Sequence, residues 1–167
     1  MGEAARTDEL EQLERLLAST LQGRGRSAIV EGDPGLGKTW VLRQIRERAR
    51  AVGAEILQGS VDPLESERPF ALINDLLRSV PSAFQELREQ VTGLLTGEDW
   101  EGQPGASDGG LRFRVSDAVV DLIEALCLKD RVVLLFDDLH WADPSSLFAV
   151  NAVSKRISDV PCLLLAT

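Results

Sequence analysis

With 167 residues, 44% of them hydrophobic and 27% charged, the chain has the size and composition of one ordinary globular domain, which excludes disordered and collagen-like classes. The net charge of −9, from 27 acids against 18 bases, sets it against a phosphate backbone, so direct contact with nucleic acid is not expected. No apolar run reaches the length of a membrane span, Met1-Gly2-Glu3 does not open a leader, and Arg6 stands where a myristoylation site needs Ser or Thr; these features predict a cytoplasmic protein that does not enter membranes. Cys127 and Cys162 sit in apolar stretches and are expected to be buried, reduced thiols.

In chain order, Thr7 precedes leucines at 10, 13, 16, 17 and 21, a helical period with Asp8 and Glu9 in the first turn, where the helix dipole favours anions. Gly23-Arg24-Gly25 breaks that helix, and Ser27 to Glu31 reads as a short buried strand. From Lys38, the apolar positions Val41, Leu42, Ile45, Ala49 and Val52 form a helical stripe that Gly53 ends. Ala54 to Ser60 is a second strand, followed by the turn Asp62-Pro63 and helical patterns over Phe70–Val80 and Pro81–Leu95. Thr96 to Gly110 lacks any period and is rich in Gly, Asp, Ser and Pro, which predicts a mobile surface loop. Leu111 to Leu126 is a strong helix, Val132 to Phe136 a strand buried on both faces, Asp143-Pro144 the start of a helix through Arg156, and Pro161 to Thr167 a fourth strand. Helices alternating with buried strands imply an α/β fold with a parallel sheet covered on both sides.

Gly32-Asp33-Pro34-Gly35-Leu36-Gly37-Lys38-Thr39 fits GxxxxGK[ST] at every fixed position, between a predicted strand and a predicted helix. Glycines let successive backbone N–H groups turn inward around phosphate oxygens, and the next helix aims its positive end at the same anion. Lys38 supplies a charge for the β and γ phosphates, and the Thr39 hydroxyl suits Mg²⁺. The spacing does not fit GxGxxG, which disfavours a dinucleotide site. Val132 to Phe136 ends in Asp137 and Asp138, at the carboxyl end of a buried strand where open α/β sheets bind ligands. Asp137 is assigned to Mg²⁺ and Asp138 to polarising the attacking water. Carboxylates beside a phosphate site are tolerable only when a cation offsets the repulsion, which favours Mg²⁺-nucleotide over bare phosphate.

Three neighbours have open readings. His140 orients Asp138, senses the γ phosphate or braces the loop leaving the strand; Trp40 packs near bound nucleotide or in the core; Asp143, before Pro144, reads as a helix cap.

Together these stretches resemble the nucleotide-binding domain of large ATP-binding LuxR-family transcriptional regulators, relatives of MalT within the STAND group of AAA-like ATPases. The resemblance is carried by Arg6-Thr7-Asp8-Glu9-Leu10, VEGDPGLGKTWVLRQI, VDPLESERPFALINDLLR, VVLLFDDLHWADPSSL and LLLAT, and it covers nearly all of residues 1–167. It implies a P-loop NTPase fold, a three-layer sandwich of about four strands here, with the loop strand central in the family and the last strand inserted between it and the Asp137 strand; with the family's fifth strand missing, this sheet is expected to expose an edge beside its loop strand. Arg6 would lie near the adenine, although Ala5 replaces the glycine that usually precedes that arginine. It further implies an ATP/ADP switch that associates in its ATP state, and a fifth strand, helical lid and DNA-binding helix-turn-helix beyond Thr167, so that this segment would be the N-terminal part of a longer regulator, incomplete at its C-terminal end. A module that holds nucleotide without turnover is the second function class. A metabolic kinase is the third, and it lacks a visible lid or acceptor site.

Overall fold

Burial on both faces turns the two longest apolar runs into strands: no residue of Val132–Phe136 or Cys162–Ala166 is more than 3% exposed. A computed structural model describes residues 2–96 and 108–167, apart from the side chains of residues 2–7, 65 and 108. The elements are α1 (Gly2–Leu21), β1 (Arg26–Ile29), α2 (Lys38–Ala51), β2 (Glu55–Ser60), α3 (Ala71–Leu77), α4 (Gln85–Thr96), α5 (Asp108–Cys127), β3 (Val132–Asp137), α6 (Pro144–Arg156) and β4 (Cys162–Ala166). The four strands form one all-parallel sheet in the order β1-β4-β3-β2, the arrangement of a P-loop NTPase-like α/β fold.

Period-two alternation divides the core into two layers. On one face Val133, Leu135, Leu163 and Leu165 pack with Leu13 and Leu17 of α1 and Val41, Leu42, Ile45 and Ala49 of α2. On the other, Val132, Leu134, Phe136, Cys162 and Leu164 pack against α3, α4, α5 and α6. The result is the expected three-layer sandwich.

Two local expectations hold in detail. Gly53, at φ 73, ends α2 in the left-handed region that glycine enters without steric cost, and Ala54 N–H closes the helix on Ala49 O at 3.0 Å. Asp143 and Pro144 begin α6 as N-cap and first residue.

Other expectations need correction. α1 begins at Gly2, ahead of Thr7, and β1 stops at Ile29, short of Glu31. α3 stops at Leu77 rather than Val80, because the next three amides turn back to carbonyls three residues earlier and Ser79 Oγ donates to Leu76 O at 2.7 Å. Of the predicted loop over residues 96–110, Thr96 closes α4 and Asp108 to Gly110 open α5, while residues 97–107 lie outside the described residues. The last strand is inserted between β1 and β3 as expected, and among the described residues β1 pairs on one side only with Ile29 62% exposed, so the loop strand, central in the fold the resemblance implies, forms the exposed edge expected of this segment.

Gly25, just before β1, is required for close approach. A Cβ there would stand 1.5 Å from Ile157 O and 2.5 Å from Ile157 C, both backbone atoms of the turn that precedes β4. Gly25→Ala should therefore destabilise the fold by at least about 3 kcal/mol, lowering the melting temperature by roughly 6–12 °C in a thermal unfolding scan.

Candidate functional site

The parallel register aligns three strand ends. Ile29 of β1 and Phe136 of β3 both lie opposite Ala166 of β4, so the segments following these strands emerge side by side at the carboxyl edge of the sheet. The segment after β1 is Val30 to Gly37. Gly35 (φ 83) and Gly37 (φ 82, ψ 27) are left-handed, and Gly37 is the N-cap of α2, so the chain enters the helix by a turn that a side chain would strain. Lys38 Nζ donates across this loop to Gly32 O at 2.7 Å and Asp33 O at 3.3 Å. The motif residues from Gly32 to Leu36 are exposed, with Leu36 at 51%.

At the end of β3, three donors converge on Asp137 Oδ1: the Thr167 hydroxyl at 2.6 Å, the Asp138 N–H at 3.1 Å and the Thr39 hydroxyl at 3.4 Å. Thr39 and Asp137, 98 residues apart in sequence, are thus adjacent. Hard oxygen donors of this kind suit Mg²⁺, which takes one or two protein ligands and completes its shell with water and phosphate. No group of three or more His, Cys, Asp or Glu side chains that could hold a metal ion is found among the described residues.

Asp138 is left-handed (φ 55, ψ 45), a conformation an aspartate adopts more readily than most residues. Its N–H also donates to Thr167 Oγ1 at 3.0 Å, so this backbone geometry is held by two acceptors. The Asp138 carboxylate is about half exposed, and His140 Nδ1 lies 3.9 Å from its Oδ1. The His140 ring packs on Trp141, with centroids 4.9 Å apart. Between the loop and this turn is a cavity of about 590 Å³, lined among others by Gly32, Pro34, Lys38, His140, Leu147 and Thr167, a size suited to a nucleotide-scale ligand.

The structure therefore brings together Gly32, Lys38, Thr39, Asp137 and Asp138. The core-packing reading of Trp40 fails, since the residue is 40% exposed. Arg6 falls on α1, and its side chain lies outside the described residues. Cys127 and Cys162 are free and buried; a hydrogen bond of the Cys162 thiol with Cys127 that favours its protonated form, followed by burial, raises the Cys162 thiol well above its ordinary value.

Two roles escaped the sequence reading. Thr167 is the hinge of the hydrogen bonds above; its signal was being the first polar residue after an apolar strand, the position Asp137 occupies after β3. Asp143 does more than cap α6. Its carboxylate, on a residue 2% exposed, accepts from Ser145 N–H (2.9 Å), Ser146 N–H (3.0 Å), Phe70 N–H (2.9 Å) and Ala71 N–H (3.2 Å), tying the start of α3 to the turn after β3.

The family model of the AAA ATPase domain matches residues 4–165, and the chain belongs to that family, at which level it is a nucleotide-binding ATPase domain. An uncharacterized protein of Rhizobium meliloti (strain 1021) is 26% identical over 184 residues, covering 97% of this chain and 18% of the relative. The chain thus spans less than a fifth of that relative's length.

Asp143→Ala leaves the Phe70, Ser145 and Ser146 amides without the carboxylate, Ala71 N–H keeping Arg68 O at 3.2 Å, and should cost about 3 kcal/mol in chemical denaturation, whereas Asp143→Asn, which still caps α6, should cost about half as much.

Proposed function

We propose that residues 1–167 form a Mg²⁺-dependent ATP-binding and slowly hydrolysing switch domain, the N-terminal part of a longer, cytoplasmic, signal-responsive bacterial transcriptional regulator. The observation that carries the reading is the adjacency of the Lys38 loop, the Thr39–Asp137 pair and Asp138 at one sheet edge. The likeness carried by the DDLHWAD stretch supports the regulator assignment, and the greater length of the Rhizobium relative supports a segment of a longer protein.

In this reading the loop amides from Gly32 to Thr39 cradle the phosphates, and Lys38 exchanges its loop carbonyls for β and γ oxygens. Thr39 and Asp137 hold Mg²⁺, whose chemistry is to offset phosphate charge and polarise the γ phosphoryl group. Asp138 orients a water toward the γ phosphorus. Its oxygen forms the new bond, the bond to the β–γ bridging oxygen breaks, and the water proton passes through the Asp138 carboxylate to the released phosphate. Thr167 fixes Asp137 and the Asp138 backbone. Arg6 and Trp40 flank the nucleotide. ATP and ADP stabilise different states, the ATP state favouring self-association, and DNA is contacted by another part of the regulator rather than by this acidic segment.

Calorimetric titration with ATP and ADP is the first test. Binding should require Mg²⁺, vanish with chelator and weaken by about 100-fold or more in Lys38→Ala; retained affinity in that variant would remove the phosphate-loop assignment. Asp138→Asn should keep ATP affinity and abolish turnover. If turnover is absent in the parent protein and the variant alike, the chain is a nucleotide-holding module instead.

A further inference from the structure

We infer that the protein has an opening to the Thr39–Asp137 pair, separate from the larger cavity at Lys38, built to take inorganic phosphate away from a site still occupied by ADP; the inference rests on the ATPase reading above. On the β2 side of α2, away from the mouth lined by Lys38 and His140, lies a cavity of about 100 Å³ bounded by Thr39, Arg43, Arg46, Gln58, Leu135 and Asp137. It is far too small for a nucleotide and suits a small ion with its waters.

Its chemistry points to an oxyanion. Arg43 and Arg46 are one turn apart on α2 and line the same space. Arg46 Nη1 donates to Gln58 Oε1 at 3.2 Å, which fixes the guanidinium, while Arg46 Nε is buried without a hydrogen-bond acceptor among the described residues. A buried donor on a positive group is costly until an anion meets it. Two carboxylates oppose the anion. Glu47 Oε1 stands 3.9 Å from Arg46 Nε and is drawn also to Arg50 at 3.6 Å, and Asp137 lines the inner end, its charge offset when Mg²⁺ is bound.

The geometry gives a reason for two openings. A nucleotide seated on the loop fills the larger mouth, so phosphate cut from it leaves by that side only after ADP. The arginine-lined cavity begins at Thr39 and Asp137, where the γ phosphate is cut, and offers a route that does not cross the nucleotide.

The test is titration of inorganic phosphate into the protein held with Mg²⁺ and ADP, for the parent and for the double variant Arg43→Gln, Arg46→Gln. The parent should bind phosphate and the variant bind it at least about tenfold more weakly, with ATP affinity and melting temperature unchanged. In single-turnover experiments the variant should cleave ATP at the parental rate and release phosphate more slowly. Equal phosphate affinity in both proteins overturns the inference, as does a parent that binds Mg²⁺-ADP but no phosphate. An equal loss of ATP affinity also overturns it, because the arginines would then serve the nucleotide itself. A parent that binds no nucleotide at all removes the ATPase reading and this one with it. Should the double variant unfold, Arg43→Glu at its exposed position must still weaken phosphate binding, and unchanged binding there counts against the inference.

Discussion

The insertion of β4 between β1 and β3 is the constraint on which the rest of the structure depends. β1 carries the glycine loop and β3 carries the paired acids, yet the two strands never touch. Their common neighbour arrives last in the chain, and its hydrogen bonds fix both: Val30 N–H donates to Ala166 O at 2.8 Å, and Thr167 N–H to Phe136 O at 3.0 Å. Because all pairings are parallel, every strand ends at the same edge, the one that carries the glycine loop and the N-terminal, positive end of α2. Such a sheet tolerates no polar residue in its central strands, which is why β3 and β4 read as unbroken apolar runs and why the first polar residue after each falls at the site.

A second link runs from β4 into the acids themselves. Thr167 is at once a backbone partner of β3, an acceptor for the Asp138 amide and a donor to Asp137. It also accepts, through its carbonyl, the Leu139 N–H at 2.7 Å. One residue therefore sets the position of the carboxylate beside Thr39 and the unusual backbone of the next residue. Asp143 ties a further pair of elements, since the starts of α3 and α6 share its one buried carboxylate. Four N–H donors make this burial tolerable, since an ionised carboxylate placed there without them would be expelled toward water or neutralised.

What the sequence made legible was local. The glycine loop, the acids ending an apolar run, the Asp143-Pro144 cap and the Gly53 stop are each encoded within a few residues, and each stands in the structure where its pattern put it. The order of the strands came from likeness to a family, since no spacing within the chain states which strand lies between two others. What stayed hidden was relational. Phe70 and Ala71 donate to a carboxylate more than 70 residues away, and Gln58 fixes Arg46 across the gap between β2 and α2. Trp40 looked like core because tryptophan is large and apolar, but its position on the first turn of α2 points away from the stripe formed by Val41, Leu42 and Ile45. The edge position of β1 was foreseen, but from the family likeness and its fifth strand rather than from composition, since Ile29 and Ala28 look like a buried strand whether or not a neighbour covers them.

The contacts of Lys38 also bear on how tightly such a site can bind. Lys38 does not wait in solvent; its ammonium already bridges Gly32 O and Asp33 O. These contacts close the loop across its own mouth and partly satisfy the charge that a phosphate would otherwise neutralise. Binding must exchange them, so the net gain from the lysine is smaller than its full interaction with a phosphate. The same exchange leaves two loop carbonyls free to rearrange when the lysine turns to the ligand, which couples occupancy to loop shape. On the far side Arg46 is held by Gln58 with one donor unspent, a group organised in advance rather than one that must reorder. The two ends of the candidate site therefore differ, with Lys38 on the loop at one and Arg46, hydrogen-bonded to Gln58, behind Asp137 at the other.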